Sequence, residues 1–364
     1  MNIAYDNVVF SLQKVGGISN YWYQLSKRLQ NSIDHSVSFY GFKDENLFRK
    51  ELKLKSLTKS KLPLQLFRYL PLTTKLPSRS IFHSSYYRVC LQRDVVNITT
   101  VYDFVYEYYS NRLAPSKLAH SFQKQFSLNH SQGIICISES TKKDLLHFYP
   151  HIDPELVKVI YLGADEKFTP LENKQSYLSL ISPSLKPLQY ILYVGSRKPY
   201  KNFSKAVEVI ALNTDLILVV IGGKEFSSQE KKLFSSFENR ILHFTETNSY
   251  DLNIFYNNAF CLLYPSVYEG FGIPPLEAIK AGCPVVSSNA SSIPEVVGDA
   301  GLLVADITVD ALVDKVNMLR NESVRKSIID RGIRQSEKFS WDRCFDQTIE
   351  FYEETYRRSL RTLG

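Results

Sequence analysis

Residues 264–277 read YPSVYEGFGIPPLE, and this stretch joins an apolar run at 259–264 to the start of a short helix. A buried strand, a Gly/Pro-rich loop and a helix in that order are typical of α/β domains with a parallel sheet. Glu269 and Glu277 lie at the two ends of the loop. Loops at the carboxyl ends of such strands often bind ligands. By itself, however, the stretch is equally compatible with a surface turn that carries two solvated glutamates.

Strand and helix patterns alternate in the same way on both sides of this stretch. Buried strands are predicted at 2–10, 36–40, 80–88, 97–103, 133–138, 157–161, 190–194, 216–221, 241–244, 259–264, 285–287 and 301–304. This alternation predicts two doubly wound α/β domains. Residues 171–189 are rich in Ser, Pro, Lys and Leu without periodicity, which indicates a linker. We therefore expect one domain at 1–175, a second at 176–340 and a final helix within 341–364.

The composition is that of a soluble globular protein. Of the 364 residues, 44% are hydrophobic and 22% are charged, and no apolar run is long enough to span a bilayer. The N-terminus has no signal-peptide pattern. The five cysteines are scattered and lack any C-x-x-C spacing, so we expect free buried thiols in a reducing compartment. We predict a cytoplasmic protein.

Positive charge is concentrated in residues 43–79, which hold ten basic and three acidic side chains in a chain of net charge +7. Leucines are interleaved with these cations, and such a stretch suits either an anionic membrane surface or a solvated amphipathic helix face. Both alternatives remain open. Nucleic acid is a less suitable partner, because the stretch lacks any nucleic-acid reader motif.

Two glycine-containing turns precede predicted helices. Gly195 is followed by a run of cations and then a helix, a combination that suits an anionic phosphate. Gly16 and Gly17 also lie at a strand–helix junction, where glycine permits either close ligand approach or a tight turn. Neither turn is a G-x-G-x-x-G dinucleotide fingerprint.

Several of these segments together resemble the family 4 glycosyltransferases. The resemblance rests on Gly195 with Lys201-Asn202, on 265–278, 282–289 and 292–301, and on Phe339-Ser-Trp341. It is almost continuous over 190–345 and looser in the N-terminal half, where it includes Gly16-Gly17, 136–141 and 162–165. It implies the GT-B fold, in which two Rossmann-like domains face a cleft and the last helix crosses back onto the first domain.

The resemblance also implies roles for individual residues. Glu269 would hold hydroxyls of the donor sugar and Glu277 the ribose hydroxyls, while Lys201 would neutralise the diphosphate, with Arg197 as the candidate for a partnering arginine. The remaining donor-binding residues that it implies are glycines and loop amides: Gly16, Gly17, Gly195, Gly270, Phe271, Gly272 and Ile273.

One position departs from the family pattern. Many members carry a histidine before an acid at the end of an N-domain strand, whereas the corresponding pair here is Tyr102-Asp103. Asp103 is the candidate for the role that the acid after this histidine has in the family, with Glu107 as a second acid nearby. His83 is the candidate to enter the cleft from the neighbouring strand in place of the missing histidine.

The implied activity is that of a retaining, metal-independent transferase that needs no cofactor and uses a nucleotide sugar. GDP-mannose is the first expectation for the donor, with UDP-linked glucose, galactose or N-acetylhexosamine as alternatives. The expected acceptor is a growing bacterial surface glycan on a polyprenyl diphosphate carrier, met at the inner face of the plasma membrane. A GT-B phosphorylase, a nucleotide-sugar epimerase and a non-catalytic binding subunit are the competing interpretations.

Overall fold

The structure is a computed structural model that describes residues 1–41, 46–52, 56–59, 68–109 and 115–363. The chain divides into two units. Unit 1 contains Met1–Leu162 together with Trp341–Gly364, and unit 2 contains Gly163–Ser340.

The described part of unit 1 contains a parallel sheet of seven strands in the order β3-β2-β1-β4-β5-β6-β7. Their bounds are β1 Asn2–Asp6, β2 Ser36–Gly41, β3 Ser56–Lys59, β4 Ser80–Ser84, β5 Val95–Val101, β6 Gly133–Cys136 and β7 Val157–Val159. The central strands β4 and β5 are buried along their whole length. Parallel strands covered by helices on both faces carry such near-continuous apolar runs.

The helices described in unit 1 are Val8–Leu12, Gly17–Gln30, Leu47–Glu51, Val105–Tyr109, Pro115–Asn129, Glu139–Phe148 and Trp341–Leu363. The prediction that the first strand continues to Phe10 was wrong, because a helix begins at Val8 immediately after β1. Asp6 Oδ1 accepts a hydrogen bond from the Val8 N–H at 3.3 Å, and the Val9 N–H bonds Ser85 Oγ at 3.0 Å. A short apolar run fits a buried helix as well as a strand, so the pattern alone misassigned it.

Unit 2 contains a parallel sheet of six strands in the order β10-β9-β8-β11-β12-β13. Their bounds are β8 Tyr190–Val194, β9 Ile217–Ile221, β10 Ile241–Phe244, β11 Cys261–Tyr264, β12 Val285–Ser288 and β13 Gly301–Val304. Its helices are Lys174–Ile181, Phe203–Leu212, Ser228–Leu233, Ser249–Asn258, Ile273–Lys280, Ile293–Val297, Val309–Met318 and Glu322–Ser336. The strand order grows outward in both directions from the β8–β11 pair, so the topological switch point lies between these two strands.

The segment expected to be a linker belongs to unit 2, and the division falls after Leu162 rather than after residue 175. Its helix Lys174–Ile181 packs against the helix Ser249–Asn258. Asparagines of the latter helix bond the backbone of the incoming chain, for example Asn257 Oδ1 with the Leu171 N–H at 2.8 Å. Composition did not reveal these contacts, because they depend on side chains about 80 residues further along.

The helix Trp341–Leu363 packs in unit 1 against the helix Gly17–Gln30 and against β5 and β6. Its Tyr352 hydroxyl bonds the Tyr5 hydroxyl at 3.0 Å in the core. Near its start, Arg28 pairs with Asp342 at 2.7 Å. All five cysteines are buried and free, which confirms the expectation drawn from their spacing.

Candidate functional site

The loops after β8, β11 and β12 lie side by side at the carboxyl edge of the unit 2 sheet. They contain residues 195–202, 265–272 and 289–292, respectively. In open α/β sheets the crevice at the switch point is the usual ligand site, because the loops of two adjacent strands diverge there. The candidate residues Lys201, Glu269 and Glu277 are carried by these loops and by the helix that follows β11.

Lys201 and Glu269, which are 68 residues apart in the sequence, form an ion pair. Lys201 Nζ lies 2.7 Å from Glu269 Oε1 and donates to the buried Tyr264 hydroxyl at 3.1 Å. The two charged side chains are 14% and 13% exposed. A charged pair with this much access to solvent can exchange its partner for a ligand without leaving a bare charge in the core.

The loop that carries Lys201 is fastened to the loop that carries Glu269. Asn202 Nδ2 donates to the Pro265 carbonyl at 2.9 Å, and the Val267 N–H donates to the Tyr200 carbonyl at 2.9 Å. Gly195 has a φ of 124°, a backbone conformation that favours glycine, and a Cβ there would lie 3.9 Å from Lys201 Nζ. The backbone that carries the cation is therefore fixed beside the loop that carries the carboxylate.

Glu277 lies in the helix Ile273–Lys280. The residue that caps the N-terminus of this helix is Gly272, with a φ of 106°. The Tyr256 hydroxyl donates to Glu277 Oε2 at 3.1 Å. Burial raises the pKa of the Glu277 carboxyl to about 8, with a smaller contribution from Asp165. The hydrogen bond from Tyr256 acts in the opposite direction. The sequence interpretation named Glu277 but had no means of finding Tyr256.

Arg197 is engaged in a set of contacts different from the predicted phosphate role. Its Nε pairs with Glu230 Oε1 at 2.6 Å, and its terminal nitrogens donate to the carbonyls of Gly222, Lys224 and Glu225. The guanidinium also lies 4.5 Å from the centre of the Phe226 ring. These contacts tie the loop after β8 to the loop after β9. In the structure Arg197 therefore connects these two loops. Its predicted place beside the diphosphate stays a prediction.

In unit 1, the prediction that His83 enters the site was wrong. The His83 side chain is fully buried, with Nε2 2.8 Å from Thr100 Oγ1 and Nδ1 bonded to the Tyr352 hydroxyl. Burial lowers its pKa to about 3. Tyr102 is also buried, and its hydroxyl accepts a hydrogen bond from Trp22 Nε1 at 2.6 Å. Both residues therefore serve the core of unit 1.

Asp103 follows β5 and is half-buried, and its Oδ1 accepts a hydrogen bond from the Val105 N–H at 3.0 Å. The fully buried Lys124 donates to the Asp103 carbonyl at 2.8 Å and pairs with Glu107 Oε1 at 3.0 Å. The sequence interpretation missed Lys124, because nothing in its own neighbourhood indicates that it pairs with Glu107. Glu107, which the sequence interpretation named as a second acid, is thus paired with Lys124 inside unit 1.

Gly16 and Gly17 lie where the helix Gly17–Gln30 begins. Gly16 is extended, with a φ of 177°, and a Cβ there would approach Gln13 Oε1 at 2.6 Å. The Ser19 hydroxyl bonds the Gly16 carbonyl at 2.9 Å. These contacts account for a tight turn, and the donor-phosphate role of the two glycines stays a prediction.

Within the described ranges, no three or more His, Cys, Asp or Glu side chains are grouped so that they could hold a metal ion. Across the same ranges, none of the helices combines the length and the apolar character that crossing a bilayer requires. Residues 43–45, 53–55 and 60–67 of the basic, leucine-rich stretch lie outside the described residues.

Two family models match the chain, one in each half. The model for Glycosyltransferase Family 4 matches residues 15–168, and the model for Glycosyl transferases group 1 matches residues 182–335. The chain therefore belongs to the glycosyltransferases that combine these two domains, as the sequence resemblance predicted.

Among curated relatives, the O-antigen chain mannosyltransferase B of Escherichia coli is 30% identical over 236 residues, which cover 62% of each chain. The MMP alpha-(1->4)-mannosyltransferase of Mycolicibacterium hassiacum is 28% identical over 62% of this chain and 54% of its own length. The matches span 54–62% of the length of the first three relatives.

Solved structures extend the likeness to nearly the whole chain. The Anabaena HepE protein in complex with UDP and glucose has a TM-score of 0.74 at 16% identity, and the match covers 96% of this chain and 99% of HepE. WaaG, described as a glycosyltransferase involved in lipopolysaccharide biosynthesis, has a TM-score of 0.71 at 15% identity, covering 95% and 98%. At these identities the likeness concerns the fold, and it confirms the predicted GT-B class of two Rossmann-like α/β domains.

Proposed function

We propose that this protein is a retaining, metal-independent glycosyltransferase that moves a hexose from a nucleotide sugar to a cell-surface glycan. The observation that carries the proposal is the Lys201–Glu269 pair, 2.7 Å apart at the switch point of a parallel sheet. One site thus offers a cation for a diphosphate and a carboxylate for sugar hydroxyls. Glu277, in the second turn of the adjacent helix, offers a carboxyl group for the ribose hydroxyls.

The chemistry asks the protein mainly for electrostatic stabilisation of the leaving group. When the bond from the anomeric carbon to the diphosphate oxygen breaks, negative charge develops on the nucleoside diphosphate. Lys201 and the amides that begin the helix Ile273–Lys280 would stabilise that charge, as a preorganised cation and helix N-terminus can. The acceptor hydroxyl attacks the same face of the sugar, and the departing phosphate takes its proton. Retention of configuration follows from this geometry.

Glu269 would act on the sugar rather than as a glycosidase-type nucleophile. Its carboxylate is paired with Lys201 and can exchange this contact for sugar hydroxyls when the lysine turns to the diphosphate. Asp103 in unit 1 is the candidate for an acidic contact from the other domain. Its partly exposed side chain follows β5, in a turn that Lys124 fixes.

For the donor we propose mannose from GDP-mannose, which is supported by relatives named as mannosyltransferases in Escherichia coli and Mycolicibacterium hassiacum. A UDP-linked hexose or N-acetylhexosamine is the alternative, and it is favoured by the complex of HepE with UDP and glucose. A thermal-shift screen of GDP, UDP and their sugar conjugates separates the two, because a ligand that binds the native state raises its melting temperature. A larger shift with UDP than with GDP would overturn the mannose proposal.

For the acceptor we propose a glycan on a polyprenyl diphosphate carrier at the inner face of the plasma membrane. A cavity of about 180 Å³ in unit 1 supports an acceptor with a hydrocarbon part. Its apolar lining residues are Leu70, Pro71, Val89, Ala119, Phe122 and Phe126. Co-sedimentation with anionic vesicles, compared with zwitterionic ones, tests the membrane contact of residues 43–79. Equal binding to both would contradict it.

Release of nucleoside diphosphate from the donor without acceptor distinguishes the transferase from a non-catalytic binding subunit. A transferase leaks some nucleoside diphosphate to water, whereas a binding subunit releases none. Phosphorolysis and epimerisation of the same donor, followed by NMR of the sugar products, test the other two alternatives. Donor consumption that requires inorganic phosphate would favour the phosphorylase.

A further inference from the structure

Four serines in and after β12 bond the backbone of the loop that carries Glu269. Strand pairing between β11 and β12 ends at Tyr264 and Ser287, so the loop beyond Tyr264 has no strand partner for its carbonyls. Buried carbonyls must find donors elsewhere. Hydroxyls supply them: Ser287 donates to Tyr264, Ser288 to Ser266, Ser291 to Glu269, and Ser292 to both Glu269 and Phe271.

Ser291 holds both backbone groups of Glu269. Its hydroxyl oxygen accepts from the Glu269 N–H at 2.8 Å, and the same hydroxyl donates to the Glu269 carbonyl at 2.7 Å. One side chain therefore fixes the position of the residue that carries the candidate carboxylate.

Ser291 adopts a backbone conformation that residues other than glycine rarely take. Its φ is 47°, in the left-handed region. Such a conformation is strained and persists only where the surroundings enforce it, often at functional sites. Glycine would remove that strain, but glycine would also remove the hydroxyl. The presence of serine here indicates that the hydroxyl is needed.

Ser292 adds a second support for the same loop. It is fully buried, and its hydroxyl lies 2.8 Å from each of the carbonyls of Glu269 and Phe271. The Glu269 carbonyl thus accepts from two hydroxyls. The Glu269 carboxylate itself is held by Lys201.

We propose that Ser291 is a positioning residue that sets the Glu269 carboxylate at the distance the donor sugar requires, with Ser292 supporting the same peptide. This inference rests on the proposed glycosyltransferase function. It assigns to the loop after β12 a part in the reaction. Small displacements of a group that orients substrate reduce turnover strongly, so loss of the Ser291 hydroxyl acts through Glu269.

The test compares Ser291→Ala with Ser291→Gly in the full chain. Both variants lose the hydroxyl, but only glycine relieves the left-handed strain, so Ser291→Gly should melt at a higher temperature than Ser291→Ala. We expect both to lose turnover by roughly 10-fold or more while KM for the donor changes little. Ser336→Ala is the matched control. It removes another buried hydroxyl of unit 2, which bonds the Ile333 carbonyl at 2.7 Å, and should keep wild-type turnover.

A second measurement follows the Glu269 amide by hydrogen exchange. Its exchange should accelerate in both Ser291 variants and stay unchanged in Ser336→Ala. Wild-type turnover in Ser291→Gly, or unchanged exchange of the Glu269 amide in that variant, would overturn the inference. Failure of the proposed function gives a different result, namely a wild-type protein that transfers and hydrolyses none of the tested donors.

Discussion

Among the residues that the structure describes, two lysine–glutamate pairs have similar geometry, one beyond a strand of each sheet. In unit 1, Lys124 Nζ lies 3.0 Å from Glu107 Oε1, and in unit 2, Lys201 Nζ lies 2.7 Å from Glu269 Oε1. The side chains of the first pair are 0% and 9% exposed, whereas those of the second are 14% and 13% exposed. The first lysine is enclosed by protein, and the second is partly exposed to solvent at the carboxyl edge of the unit 2 sheet.

The neighbours of each lysine differ as much as the exposure does. Lys124 also donates to the Asp103 carbonyl and lies 3.5 Å from the centre of the Phe104 ring, and burial lowers its pKa. Lys201 has a tyrosine hydroxyl as its further partner, on loops that carry the family motif. A lysine–glutamate pair therefore does not mark a binding site by its distance. What marks the site is whether a ligand can replace one partner.

The largest expected effect concerns the stability of unit 1. Lys124→Met leaves the Glu107 carboxylate buried without its cation, and breaking such a pair costs about 3–5 kcal/mol. We expect a loss of that size in urea denaturation, with the affinity of the folded protein for nucleoside diphosphate unchanged. The same substitution at Lys201 is the matched control and should cost far less stability. Wild-type stability of Lys124→Met would show that the buried pair is not what holds the turn after β5.

The second prediction concerns turnover. Glu269→Gln keeps the shape of the side chain but removes the charge that pairs with Lys201 and would hold sugar hydroxyls. We expect turnover to fall by on the order of 10²-fold, as it does when one preorganised site group is removed, while the melting temperature changes little. The rate of sugar transfer by the purified variant checks this. A variant as active as the wild type would remove Glu269 from the mechanism.

The third prediction concerns binding and completes the comparison of the two lysines. Lys201→Met should weaken nucleoside-diphosphate binding by roughly tenfold, the effect of about 1.4 kcal/mol, because one charge-assisted contact is lost. Titration calorimetry at fixed salt measures it, with Lys124→Met as the reciprocal control. Equal affinities for wild type and Lys201→Met would place the diphosphate elsewhere.

The smallest expected effect is a pH dependence of stability that arises from Glu277. Its pKa in the folded protein, about 8, lies above the value of an unfolded glutamate, so its contribution to stability is complete at low pH and is lost as pH rises through 8. Between pH 7 and pH 8 the melting temperature of the wild type should fall more than that of Glu277→Gln. The expected difference is roughly 2–4 °C, which corresponds to about 1 kcal/mol. Parallel curves for the two proteins would contradict the raised pKa.

Much of the fold could be predicted from the sequence, because apolar runs punctuated by Gly and Pro define buried strands and their loops. The runs 190–194 and 133–136 are examples. The errors fell where a local pattern is ambiguous. The apolar residues after Asp6 form a helix, and the helix Lys174–Ile181 has no periodicity strong enough to stand out from a linker.

The site could be predicted only in part, and the missed residues share a physical reason. Tyr264, Tyr256, Ser291 and Lys124 act through hydrogen bonds to residues distant in sequence, and nothing in their own neighbourhood indicates the partner. His83 illustrates the reverse. It has the chemistry of a site residue, but tertiary contacts bury it against Thr100. Arg197 pairs with Glu230, a contact that its own neighbourhood in the sequence does not indicate.

The sequence by itself determined that two α/β domains are present, that Lys201 and Glu269 are carried by strand-to-helix loops, and that Glu277 belongs to the helix that follows one of these loops. Local chemistry suffices for this, because glycines, prolines and apolar runs act over a few residues. Only the tertiary structure decided which lysine meets which glutamate, which side chains are enclosed, and which serines hold the loop after β11. These properties depend on how strands far apart in the chain are ordered in the sheet, and that order is set by packing rather than by any local segment.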